Sequence, residues 1–153
     1  MKQHHGMMAA LAIGALAFGG AALAASASTT IQARQANFKQ LGKGMKAVMT
    51  ELKADAPNVD AIKAGAALID GAAPKVAGFF PKGTGPEAGV KTEALPVIWQ
   101  KGPEFKAAAE KLVNASKGLN AAAATGDVAR IKAAAGALGG ACKGCHDTFK
   151  AKD

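Results

Sequence analysis

The chain has 153 residues, enough for one domain; half are apolar, only 5% are aromatic and tyrosine is absent. Rich in alanine and lysine, such a composition favours packed helices over a sheet of β-branched and aromatic residues, and it excludes a multi-helix membrane protein. Lys+Arg 19 against Asp+Glu 11 gives a net charge of +8, while 2 cysteines and 3 histidines exclude a disulfide-stapled mini-protein and most metal cages.

The chain opens Met1-Lys2-Gln3-His4-His5 and then runs from Gly6 to Ala27 without a charge. Small-residue exits follow at Ala22-Leu23-Ala24 and Ala25-Ser26-Ala27. Basic head, apolar middle and A-x-A exit describe a secretory signal peptide. An uncleaved membrane anchor fits the length, but not the Ala/Gly richness or the tandem exits. A single Lys and no twin-arginine pair point to the Sec route. Residues 1–27 are thus expected to be removed, after Ala24 or Ala27, leaving 28–153 as the exported domain. Cleavage takes His4 and His5 with it and leaves one histidine, His146.

Four segments of the remainder carry apolar residues at helical spacing. The first runs through Ile31, Arg34, Phe38, Leu41, Met45, Val48 and Leu52, with Thr29 or Thr30 as cap and Asp55-Ala56-Pro57 as end. The second runs through Val59, Ile62, Ala66, Ile69 and Ala73, capped by Asn58 and stopped by Pro74. A loop rich in Gly, Pro and Lys, from Lys75 to about Ala94, carries the exposed-looking pair Phe79-Phe80. The third starts near Pro96 and places Ile98, Phe105, Leu112 and Leu119 seven apart; Pro103 either kinks it or marks its true start. Thr125-Gly126-Asp127 breaks the chain and caps the fourth, which runs through Val128, Ile131, Ala135, Leu138, Cys142, Cys145 and Phe149. The fold expected is all-α, an antiparallel four-helix bundle.

Both cysteines lie in Cys142-Lys143-Gly144-Cys145-His146, and C-x-x-C-H is the attachment site of a c-type haem. Two thiols one helical turn apart can each add to a vinyl group at the porphyrin edge, and the adjoining imidazole of His146 then becomes an axial ligand of the iron. Both sulfurs fall on the apolar stripe of the last helix, so the group would face the bundle interior. A disulfide within one helical turn is geometrically poor and closes almost no loop. A thioredoxin-like pair expects a βαβ setting, and zinc would need further ligands.

With His146 used on one face, the sixth position is left to a methionine, a lysine, a small molecule or nothing. Met45 and Met49 lie on the first helix, as do Arg34 and Phe38. A core-facing arginine requires an anion, which haem propionates would supply bidentately; at the stripe's edge it would instead snorkel into water. Phe38 would stand over the open iron face, or serve as plain core packing.

These residues resemble the class II c-type cytochromes, and cytochrome c′ most closely. The resemblance covers essentially the whole chain after the signal peptide. It rests on the C-terminal haem motif, on Arg34-Gln35-x-x-Phe38, and on Pro96-Val97-Ile98-Trp99 followed by Phe105-Lys106. It implies one covalent haem c held by Cys142 and Cys145, with His146 as proximal ligand. It further places Arg34 and Gln35 near the propionates and Trp99 at the haem edge. Thr92 and Glu93 would approach the group from the segment before the third helix, and Lys150 stands four residues after the histidine as the family's usual basic residue. Low-spin members carry methionine where this chain has Phe38; cytochromes c′ carry an apolar residue, which leaves the iron five-coordinate and open to NO or CO. Met45, about 10 Å further along the axis, is too far to substitute. The family is typically homodimeric.

The functional expectation is electron transfer in the periplasm, with Lys143, Lys150 and Lys152 steering the protein towards redox partner proteins. The alternative is binding or scavenging of NO or CO under Phe38. No acid–base residue is placed over the iron, so no enzyme is expected. The basic residues are spread along all four helices, which argues against nucleic acid.

Overall fold

Two of the long helices start where their caps predict. The Asn58 side chain accepts hydrogen bonds from the Asp60 and Ala61 amides at 3.0 and 3.1 Å, and Asp127 accepts from Ala129 and Arg130 at 2.9 and 3.1 Å. Each side chain satisfies amides that a helix start leaves without intrahelical partners. The computed structural model describes residues 18–152. Its helices are α1 (Phe18–Glu51), α2 (Val59–Ala72), α3 (Val97–Gln100), α4 (Gly102–Thr125) and α5 (Val128–Phe149). Gly126, at φ 71°, closes α4 in the left-handed conformation that glycine adopts without strain.

The four long helices form an antiparallel bundle, and the differences from expectation are local. α1 does not begin at Thr29 or Thr30: it runs back to Phe18, and the Thr30 hydroxyl donates within the helix to the Ser26 carbonyl at 3.0 Å. Uncharged, alanine-rich residues upstream propagate the helix, so the threonines have no free helix start to cap. Residues 1–17 of the expected signal peptide lie outside the described residues. α2 ends at Ala72, and the chain tightens into a 3₁₀ turn, Ala73–Lys75, that accepts Pro74 in its first positions instead of stopping there. The expected third helix is two: the single turn α3, then α4 with Pro103 at its start, where a missing N–H costs nothing. The loop before α3 contains two further 3₁₀ turns, Ala77–Phe79 and Pro86–Ala88.

The core is drawn from the predicted stripes, with Val48, Ile62, Leu119 and Ile131 wholly buried. Each such side chain contributes about 1.5–3 kcal/mol relative to exposure. α1 packs closely on α2, α2 on α4 and α4 on α5, whereas α1 and α5 meet only sparsely. The α1–α2 approach depends on glycine: a Cβ on Gly44 would stand 2.6 Å from Ile69 Cγ1 and 2.7 Å from the Gly65 carbonyl oxygen. Polar side chains pin the same face. Asn37 donates to the Ala72 carbonyl at 3.1 Å, and Ser116 and Asn120 of α4 donate to the Asp70 carboxylate of α2 at 3.1 and 3.3 Å. The bundle is therefore tied on three sides and open on the fourth.

Candidate haem site

The last helix, which borders the open side, carries the motif. Cys142 and Cys145 stand one turn apart on α5, both unpaired, both half-buried and both packed against the core. Burial raises both thiols above their ordinary value, and for Cys145 the neighbouring Cys142 adds to the effect. His146 is exposed. Across from α5, Phe38, Leu41 and Met45 of α1 lie partly buried against the same core. The Met45 methyl comes within 3.7 Å of where a Cβ on Gly139 would stand, so this row of α1 faces α5.

One end of this seam is lined with rings. Phe38 meets Phe80 edge-on at 6.4 Å between centroids, Phe80 meets Phe105 at 4.7 Å, and Phe105 meets Phe149 at 5.3 Å. The series joins α1 to α5, and Trp99 stands beside it, 6.2 Å from Phe80. A hollow of about 280 Å³ opens beside Phe80, Trp99 and Phe105, and a groove of about 480 Å³ opens between α4 and α5 beside Cys145. Phe80 thus belongs to the site and not to an exposed pair: it packs against the core, and its ring lies under the Arg34 guanidinium at 4.5 Å.

Arg34 does not snorkel. It is 2% exposed and donates to the Thr84 carbonyl at 3.0 Å, to Thr92 Oγ1 at 2.8 Å, and more weakly to Thr84 Oγ1 and the Phe79 carbonyl. These partners are neutral, and among the described residues no carboxylate pairs with it. Burial lowers its pKa from the ordinary arginine value, yet guanidinium stays charged in proteins. Here an uncompensated cation is held by carbonyls and hydroxyls of residues 79–92.

The remaining predicted residues gather at the same end. Gln35 donates to the Lys91 carbonyl at 2.9 Å, and Trp99 donates to the Phe80 and Pro81 carbonyls at 3.1 and 3.0 Å. Thr92 Oγ1 also accepts from the Ala94 amide at 3.2 Å. Glu93 pairs with Lys150 at 3.1 Å, and the backbone there is stitched by Leu95 to Phe149 and Ala151 to Glu93 bonds of 3.0 and 2.8 Å. Two of the three lysines expected to steer partners are therefore already paired, Lys150 with Glu93 and Lys143 with Asp147. Sequence reasoning missed Phe80 and Thr84. A large apolar pair inside a polar Gly/Pro loop was a signal for the first, and nothing local marks the second.

The residues fit a covalent porphyrin: two free thiols one turn apart, an adjoining imidazole, an aromatic lining and a buried cation lacking a carboxylate. A four-helix bundle whose last helix carries C-x-x-C-H in this setting defines a class II c-type cytochrome. The profile of the family described as Cytochrome C′ matches residues 29–150. The chain is 42% identical over 131 residues to cytochrome c′ of Pararhodospirillum photometricum, covering 82% of this chain and 99% of that protein. A cytochrome c′ with an unusual ligand-controlled dimer dissociation superimposes at TM-score 0.76 and 30% identity, over 82% of this chain and 97% of its own. A nitric oxide complex of a cytochrome c prime variant from Alcaligenes xylosoxidans superimposes at TM-score 0.73 and 26% identity, over 82% and 97%. The chain belongs to the cytochrome c′ family. Its cofactor is one covalent haem c, and it is a haem protein of electron transport.

Proposed function

We propose that this protein is an exported electron carrier of the periplasm whose iron is five-coordinate, with His146 as proximal ligand and Phe38 over the other face. Bound, the haem supplies a one-electron couple and an open coordination position. The chain does the rest. Cys142 and Cys145 fix the group by thioethers, and Arg34 meets its propionates, exchanging neutral partners for an anion. Gln35, Thr92, Glu93, Trp99 and Lys150 fasten the segments that frame it. Residues 1–27 act as the Sec signal peptide, cleaved after Ala24 or Ala27. Among the described residues no helix is long and apolar enough to cross a membrane.

The observation that carries the reading is the position of Phe38. It is on the α5-facing row of α1 and meets the aromatic series, and a phenyl ring offers iron no lone pair. The same observation favours a second reading, NO or CO binding or NO scavenging under Phe38, which the Alcaligenes nitric oxide complexes support by likeness. The oligomer proposed is a homodimer.

Absorption and electron paramagnetic resonance spectra of the processed protein, oxidised and reduced, with and without NO, test this. High-spin iron that takes up NO supports the open face. Low-spin iron with a methionine-to-iron charge-transfer band would mean that Met45 or Met49 reaches the metal, and would overturn it. The N-terminal residue of the exported protein tests the cleavage site: Ala25 or Ser28 is expected.

A further inference from the structure

The helices differ in how their charge is balanced. α2 and α4 carry four lysines against four carboxylates, Asp60, Asp70, Glu104 and Glu110. α1 and α5 carry seven basic residues against two acids, Glu51 and Asp147, and Asp147 is consumed by Lys143. Although basic residues are spread over all four long helices, among those helices the excess of positive charge lies on two.

Those two helices border the seam. On α1, Asn37 and Gly44 face α2, and Phe38 and Met45 face α5. Lys39 and Lys46 come next round the helix, at the seam's outer lip on its α1 side. On α5, Gly139 faces Met45, and Lys132 and His146 share its face at seven-residue spacing. Lys39, Lys46 and Lys132 are exposed, and among the described residues none makes an ion pair. The exposed imidazole of His146 lies on the same face as these ammonium groups.

We infer that the lysine-lipped α1/α5 seam is the docking face for an acidic redox protein. The inference rests on the electron-carrying reading and names its partner by charge. A second copy presenting the same face would be repelled. A lipid surface would be gripped through apolar insertion as well, and the exposed large hydrophobics among the described residues are limited to Met49 and Val128. Steering by like-signed charge around the transfer edge raises encounter rates and is screened by salt.

The test uses two triple variants of the haem-loaded protein with identical net charge. The seam triple is Lys39→Glu, Lys46→Glu and Lys132→Glu; the control triple is Lys63→Glu, Lys75→Glu and Lys117→Glu, all at exposed positions outside the grooves beside the cysteines and the rings. Stopped-flow at low ionic strength follows oxidation of the reduced protein by ferricyanide, in which one electron leaves the protein and ferricyanide becomes ferrocyanide. Calorimetry with poly-L-glutamate reads binding without electron transfer. The seam triple should lose at least about tenfold in both rate and affinity, and the control triple no more than about twofold. Equal losses in the two triples, or none in either, overturn the inference. So does a wild type that binds phosphatidylglycerol vesicles through these lysines while ferricyanide and polyglutamate are indifferent to them, since the face would then serve lipid. Failure of the wild type to reduce ferricyanide at all would instead sink the carrier reading, with the polyglutamate measurement still deciding whether the face is an acidic docking surface.

Discussion

The α2/α4 side of the bundle and the α1/α5 side are made of the same alanine-rich helices and differ in what holds them. On the first, glycine at Gly44 and Gly65 lets α1 approach α2, and Asp70, Ser116 and Asn120 lock α2 to α4. Charges there balance. On the second, α1 and α5 meet sparsely, the thiols are unpaired, a buried cation lacks a carboxylate among the described residues, and Lys39, Lys46 and Lys132 are exposed. A protein consisting only of the first side would have no reason to keep the second so loosely closed. The closed side carries most of the helix-to-helix ties, and the side that borders the cysteines and Arg34 carries few.

That division can be broken experimentally. The largest effect is expected from Cys142→Ala with Cys145→Ala, after which acid–acetone should extract all haem, whereas Ser116→Ala on the opposite side should leave it fully bound. Next comes Leu119→Ala on the closed side, a wholly buried position whose truncation should lower stability by about 2–5 kcal/mol in urea unfolding. In the chain before haem is attached, Arg34→Met should cost about 1–3 kcal/mol, because the buried Thr84 carbonyl loses its charged donor. If the haem-free chain is as tolerant of Arg34→Met as of a surface change, Arg34 does not hold the loop.

The smallest effect is one of pH, in the chain before haem is attached. Burial lifts both thiols above 9.0, so the folded state keeps protons that the unfolded chain has already released. The thiols' contribution to stability is full below pH 9.0 and is lost as pH rises through their raised values. Denaturation midpoints taken between roughly pH 8 and 11 should therefore fall more steeply in the haem-free wild type than in Cys142→Ala with Cys145→Ala.

Much of the closed side was legible in the sequence because its determinants are local. Asn58 and Asp127 announce helix starts by residue type, and Ile62, Ile69, Leu112 and Leu119 announce a buried face by spacing. The proposed haem anchors are a local signal of the same kind: Cys142, Cys145 and His146 lie within five residues. Arg34 could be read as buried, but not its partners, because Thr84 and Thr92 come from a loop about fifty residues away. Thr29 and Thr30 do not cap in the full chain, because the helix continues upstream to Phe18; removal of residues 1–27 would return the helix start to them. Lys143 with Asp147 is an i,i+4 pair that spacing alone predicts, whereas Lys150 with Glu93 depends on the bridge between Ala94 and Lys150. The charge asymmetry was hidden because basic residues were followed along the chain without the acids that cancel them.

The haem is proposed to lie where α1 and α5 border the bundle, with Phe38 over the iron. Phe38→Met tests this placement most directly, since it offers a thioether from that one position. High-spin iron is expected in the wild type and, in the variant, conversion to low-spin iron with a methionine charge-transfer band and loss of NO uptake. A wild type already low-spin, or a Phe38→Met variant with the wild-type spectrum and unchanged NO uptake, would contradict it and place another residue above the metal.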